Sequence, residues 1–134
     1  MSCLQNHVVF YTGTTGDPVP VVKGWLRLSL RNVDETNPAH SKEIPYRNYF
    51  STEVQKPIVG GIYPVDVEIW PTNVVVGKGG KLALQISSHD TQGSGLFEHN
   101  HPEDRPEAAL KGLNCIHVGG GNQSYLCLPV IPQK

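Results

Sequence analysis

The chain has 134 residues, with 11 Lys and Arg against 12 Asp and Glu, a formal net charge of -1 with histidines neutral. That length suits one domain, 1–134, with a core of its own, and near-neutral charge excludes a nucleic-acid or anionic-membrane partner, since both demand a basic surface. No apolar run approaches the roughly 18 residues of a membrane span, the opening residues lack the basic and apolar stretches of a secretory leader, and Cys3, Cys115 and Cys127 form neither a disulfide framework nor a zinc pattern, so a cytoplasmic protein is expected.

Eleven prolines and 14 glycines punctuate short apolar runs throughout, the pattern of a sheet protein with many short strands. Residues 7–11 read as a first strand. Gly24-Trp25-Leu26-Arg27-Leu28-Ser29-Leu30-Arg31 alternates with period two, leucines on one face and Trp25, Arg27, Ser29 and Arg31 on the other. Pro64-Val65-Asp66-Val67-Glu68-Ile69-Trp70 repeats the period, and Lys81-Leu82-Ala83-Leu84-Gln85-Ile86 does so again. Such alternation predicts half-buried antiparallel strands with Leu26, Leu28, Leu30, Val65, Val67, Ile69, Leu82, Leu84 and Ile86 turned inward. Residues 74–76, 115–118 and 125–128 read as further strands, the last adding Leu126 and Leu128 to the core. Turns fall at 77–80 and 119–122, where glycine accepts positive φ at little cost. One helical turn is expected at 105–111, between Pro106 and Gly112, and the long connections 32–63 and 89–114 are of a length that is usually functional or mobile.

Taken together, Gly24-Trp25-Leu26-Arg27-Leu28-Ser29, Pro45-Tyr46-Arg47-Asn48-Tyr49, Pro64-Val65-Asp66-Val67-Glu68-Ile69-Trp70-Pro71-Thr72, Leu84-Gln85-Ile86-Ser87-Ser88 and the closing Ser124-Tyr125-Leu126-Cys127-Leu128-Pro129 resemble one family. It is the C-terminal jelly-roll domain of the cocaine esterase and Xaa-Pro dipeptidyl-peptidase group of serine hydrolases. The resemblance implies an all-β fold, an antiparallel β-sandwich of the jelly-roll, galactose-binding-domain-like kind. It also implies that the first strands of that domain are absent, leaving a sandwich truncated at its N-terminal side. In that family the catalytic triad belongs to a separate α/β-hydrolase domain. None of the eight serines here lies in a Gly-x-Ser-x-Gly elbow, the strained turn that presents such a nucleophile.

Three constellations could carry chemistry. His89, Asp90, Glu98, His99, His101, Glu103 and Asp104 crowd one loop. Lacking a rigid scaffold, it reads as a solvated polar loop, and no metal is expected. Cys115 and His117 lie two apart, and Cys127 is flanked by leucines; buried, inert thiols are expected. The third is the outward face carrying Trp25, Arg27, Arg31, Asp66, Glu68, Trp70 and Gln85. Indole planes beside a few donors suit a small-molecule site, whereas cross-strand ion pairs on an ordinary sheet face are the plainer alternative.

Two functions follow. In the first, the chain binds a small hydrophobic metabolite over the uncovered sandwich, with Trp25, Glu68 and Trp70 as contacts. Arg27, Gln85, His89 and His117 would then act as donors in a cofactor-free cyclisation or isomerisation, such as a Diels–Alder closure. In the second, it is a non-catalytic ligand-binding or accessory domain that docks on a hydrolase chain. A sandwich short of its first strands also exposes an edge and apolar surface, which predicts a homodimer.

Overall fold

The computed structural model describes residues 7–12, 18–88 and 111–132. Three strands, β1 (His7–Thr12), β2 (Pro18–Gly24) and β3 (Leu82–Ile86), form one antiparallel sheet in the order β2-β1-β3. β1, expected from the sequence, is central. β2 is not among the strands expected from the sequence; it carries Pro18 and Pro20 and pairs with β1 as an edge strand, where a missing N–H faces no ladder partner. A bulge opposite Val9/Phe10 absorbs one extra residue of β2. Its outer margin is held by the segment beyond Ile69: the Trp70 N–H donates to the Lys23 carbonyl at 3.1 Å, and the Thr72 hydroxyl to that of Val21 at 3.4 Å.

The alternating run 24–31 is a strand only to Gly24. It ends in a 3-10 turn, Leu28–Leu30, closed by the Leu30 N–H on the Arg27 carbonyl at 2.8 Å. A second 3-10 turn spans Ser51–Glu53, and these two turns are the helix content of the described residues. The ranges 64–70, 74–76, 115–118 and 125–128 join no ladder. Their apolar periodicity marked the side to be covered, whereas a strand also requires a backbone partner. Both turns stand: Gly80 N–H donates to Gly77 O at 2.9 Å and Asn122 N–H to Gly119 O at 3.0 Å, with positive φ at Gly79, Gly119 and Gly120. The helical turn at 105–111 lies outside the described residues apart from Lys111.

The described residues are thus poor in helix, and their strands form one layer. Burial corrects the expected core more sharply. Where burial is described, Gly24, Leu26, Leu28, Ser29, Pro45 and Arg47 are buried. Leu30, Val65, Val67, Ile69 and Leu126 are half-buried, while Leu82, Leu84, Ile86 and Leu128 are exposed. β3 has β1 on one side, but both of its faces meet solvent. No helix among the described residues is long and apolar enough to cross a membrane.

Candidate functional site

Trp25 and Trp70 are brought together, with ring centroids 5.6 Å apart and planes at 80°, an edge-to-face pair. Such pairs add about 0.5–1.5 kcal/mol beyond their area. The pairing follows from the attachment of Trp70 to Lys23, which sets its backbone beside the end of β2. The close approach requires Gly24, where a Cβ would strike the Glu68 carbonyl. Glu68 is therefore next to the pair through its backbone, and Arg27 stands half-buried at the entry to the 3-10 turn. Trp70 keeps 63% of its surface in water.

Of the other expected donors, Gln85 and His117 are among the described residues. Gln85 is on β3, level with Val8 of β1, which is in turn level with Lys23. His117 is exposed beside the 119–122 turn, where its carbonyl accepts the Ser124 hydroxyl at 3.2 Å. His89 and the histidine-rich loop lie outside the described residues. Among the described residues no three His, Cys, Asp or Glu side chains gather as a metal would require. Cys115 and Cys127 are free and exposed rather than buried, because 111–132 forms no covered strand.

Sequence reasoning missed the residue that knots these segments together. Arg47 is 6% exposed, and its guanidinium donates to the carbonyls of Arg31 (3.3 Å from both Nε and Nη2), Pro45 (3.2 Å) and Asp66. Its planar fork supplies donors in several directions, so one side chain ties three separate stretches. Arg31 performs a related task nearby. Its guanidinium donates to Leu28 O (3.1 Å), Gln55 O (3.0 Å) and Gln55 Oε1 (3.0 Å), and lies 4.2 Å from the Tyr63 ring centre. Cross-strand Arg–Glu pairs were the plainer alternative for the face that includes Arg31; Arg31 instead makes a backbone clasp with a cation–π contact.

A shallow polar pocket of about 230 Å³ opens beside this knot, lined by Asn32, Val33, Asp34, Asn48 and Glu53. Asp34 Oδ1 accepts the Thr36 hydroxyl at 2.7 Å and the Thr36 N–H at 3.1 Å. The Thr36 hydroxyl lowers the Asp34 pKa from its ordinary value against an opposing desolvation, with help from the Thr36 N–H, Asn48 and Asn37. Asn48 Nδ2 donates to Glu53 Oε1 at 3.4 Å. These contacts are mutual, a turn fastened by its own side chains.

The chemistry-bearing residue types therefore serve the backbone. Ser29, fully buried, has an Oγ with no hydrogen-bond partner, and its carbonyl accepts the Gln55 N–H at 2.8 Å. His40 Nδ1 accepts the Tyr46 N–H at 3.3 Å. The expected metabolite site with convergent donors finds no support in this geometry. No curated protein and no solved structure matches the chain. A family model, that of the X-Pro dipeptidyl-peptidase C-terminal non-catalytic domain, matches residues 6–127. All six buried positions fall in the motifs that carry the resemblance, where they make the structural knot. The chain belongs to the family of X-Pro dipeptidyl-peptidase C-terminal non-catalytic domains.

Proposed function

We propose that this chain is an accessory β domain that docks on the catalytic α/β-hydrolase part of a serine hydrolase of the X-Pro dipeptidyl-peptidase type. Its complete fold would be the jelly-roll sandwich. The observation that carries this reading is the family match over 6–127. The structure is in keeping with it: the motif residues hold backbone, while Ile58, Val59, Ile62, Trp70 and Val75 present apolar surface to water, the kind of surface that a partner covers. A cyclase of secondary metabolism does not have the family match in its favour.

The purified chain should not hydrolyse Xaa-Pro anilides or nitrophenyl esters, and no serine should take up a phosphonate probe. Mixed with the hydrolase domain of an X-Pro dipeptidyl-peptidase from the same source, it should co-migrate as a defined complex in light scattering. It should also alter the thermal stability or KM of that domain. A stoichiometric phosphonate adduct on any serine here, or separate migration of the two proteins at every concentration, defeats the reading.

A further inference from the structure

Two apolar surfaces of this chain are exposed within one copy. Leu82, Leu84 and Ile86 alternate along β3 and so share one sheet face, and each is between 38% and 41% exposed. Register sets Leu84 level with Val9 and Val22, and Leu82 level with Tyr11 and Val19. From 82 to 88 the sequence has no charged residue.

The second surface is the segment 111–132, which reverses direction at the turn where Gly119 and Asn122 bridge. Between 112 and 132 it carries no Asp, Glu, Lys or Arg, while Ile116, Val118, Tyr125, Leu128 and Val130 lie open to solvent. Its Tyr125 ring centre is 5.4 Å from Lys42 Nζ, so it reaches the loop around Lys42, and the residues of β3 stay partly exposed. Soluble proteins guard a long, uncharged, strand-forming stretch with charge, proline or a cover. Its cover should itself be neutral and apolar, as the β3 face is.

We propose that two copies of this chain exchange these surfaces: the 111–132 segment of each lies on the Leu82, Leu84 and Ile86 face of the other, completing a second layer over both sheets. Each copy contributes both surfaces, about two dozen residues, the size of a standard interface. The exchange is reciprocal and closes on itself, giving a twofold dimer without open ends. It involves no hydrolase, so it stands or falls separately from the docking reading.

Light scattering of the purified full chain at micromolar concentration should give twice the chain mass. Leu84→Asp in one preparation, and Ile116→Asp with Leu128→Asp in another, should each give single-chain mass. The near-ultraviolet signature of the Trp25–Trp70 pair should persist in both, reporting an intact fold. Mixing the two should restore a dimer, because one of the two exchanged contacts is then wild type on both sides. Should Leu84→Asp lose the tryptophan signature, Leu84→Ser replaces it in the same mixing. A monomeric wild type, a dimer indifferent to both sets of substitutions, or two folded monomeric variants that stay monomeric on mixing each overturns the exchange. The last outcome would mean that each 111–132 segment covers its own β3.

Discussion

Arg47 concentrates more of the fold in one side chain than any apolar residue described. Removing its guanidinium strands the carbonyls of Arg31, Pro45 and Asp66 in or near the buried region. A hydrogen bond to a charged group is worth about 1.5–3 kcal/mol. Arg47→Met should therefore lower stability by about 3 kcal/mol, read from the urea midpoint, and Arg47→Lys should recover less than half, because an ammonium cannot fork. Ser29 runs the other way: its hydroxyl is buried without a partner, so Ser29→Ala should be neutral or slightly stabilising. Asp34 gives a pH handle. Its folded pKa lies below the ordinary value of 3.8, chiefly through the Thr36 hydroxyl. The contribution to stability is present above the unfolded pKa and is lost as pH falls through the folded one. Thr36→Val should raise the Asp34 pKa towards its ordinary value in a carbon-detected NMR titration; an unmoved pKa would refute the assigned cause.

At the scale of elements, side and partner separate. The sequence's period-two pattern turned Leu26 and Leu28 inward, as observed, and set Trp25, Arg27 and Ser29 outward, whereas Trp25 and Arg27 are half-buried and Ser29 is fully buried. It also set Trp25 and Trp70 on outward positions, so their meeting was legible. What the pattern lacked was the origin of each backbone partner. Residues 28–31 satisfy their groups by a local turn, the Gln55 N–H and the Arg31 clasp, none of which leaves a periodic trace. The acceptors of Arg47 are carbonyls from three stretches, equally silent in side-chain pattern. β2 hid behind prolines that an edge tolerates. Substitutions should show the same division. Leu26→Ala, at a 3% exposed site, should cost about 2–5 kcal/mol through the cavity it leaves. Gly24→Ala should cost about 1–3 kcal/mol by forcing the Glu68 backbone away. Leu84→Ala, in contrast, should cost under about 1 kcal/mol in the monomer, since an exposed side chain leaves no cavity. Urea melts of the three at low protein concentration would separate them, and equal losses would mean that β3 is already covered in the monomer.

For the whole molecule, stability should be graded along the chain. The knot of 19–31, 45–47 and 66–72 is fastened by Arg47, by the Trp70 N–H on Lys23 and by the Gln55 N–H on Ser29. The segment 111–132 is exposed apart from half-buried Leu126 and has its described backbone bond at its own turn. Few buried contacts and water-facing amides mean opening at low free energy. In dilute solution, amide exchange should thus be slowest at Leu30, Gln55 and Trp70 and close to unstructured rates at 113–118 and 123–131. Assembly must change that order, because ordering a segment gains free energy only if its apolar surface leaves water. Exchange between two copies should slow 113–131 and β3 together, with a dependence on the concentration of this chain alone. Docking on a hydrolase should slow the surface around Ile58, Ile62 and Trp70 and depend on the concentration of the hydrolase. Strong protection of 113–131 at the highest dilution would contradict the graded picture, since the described contacts of this segment within one copy are few.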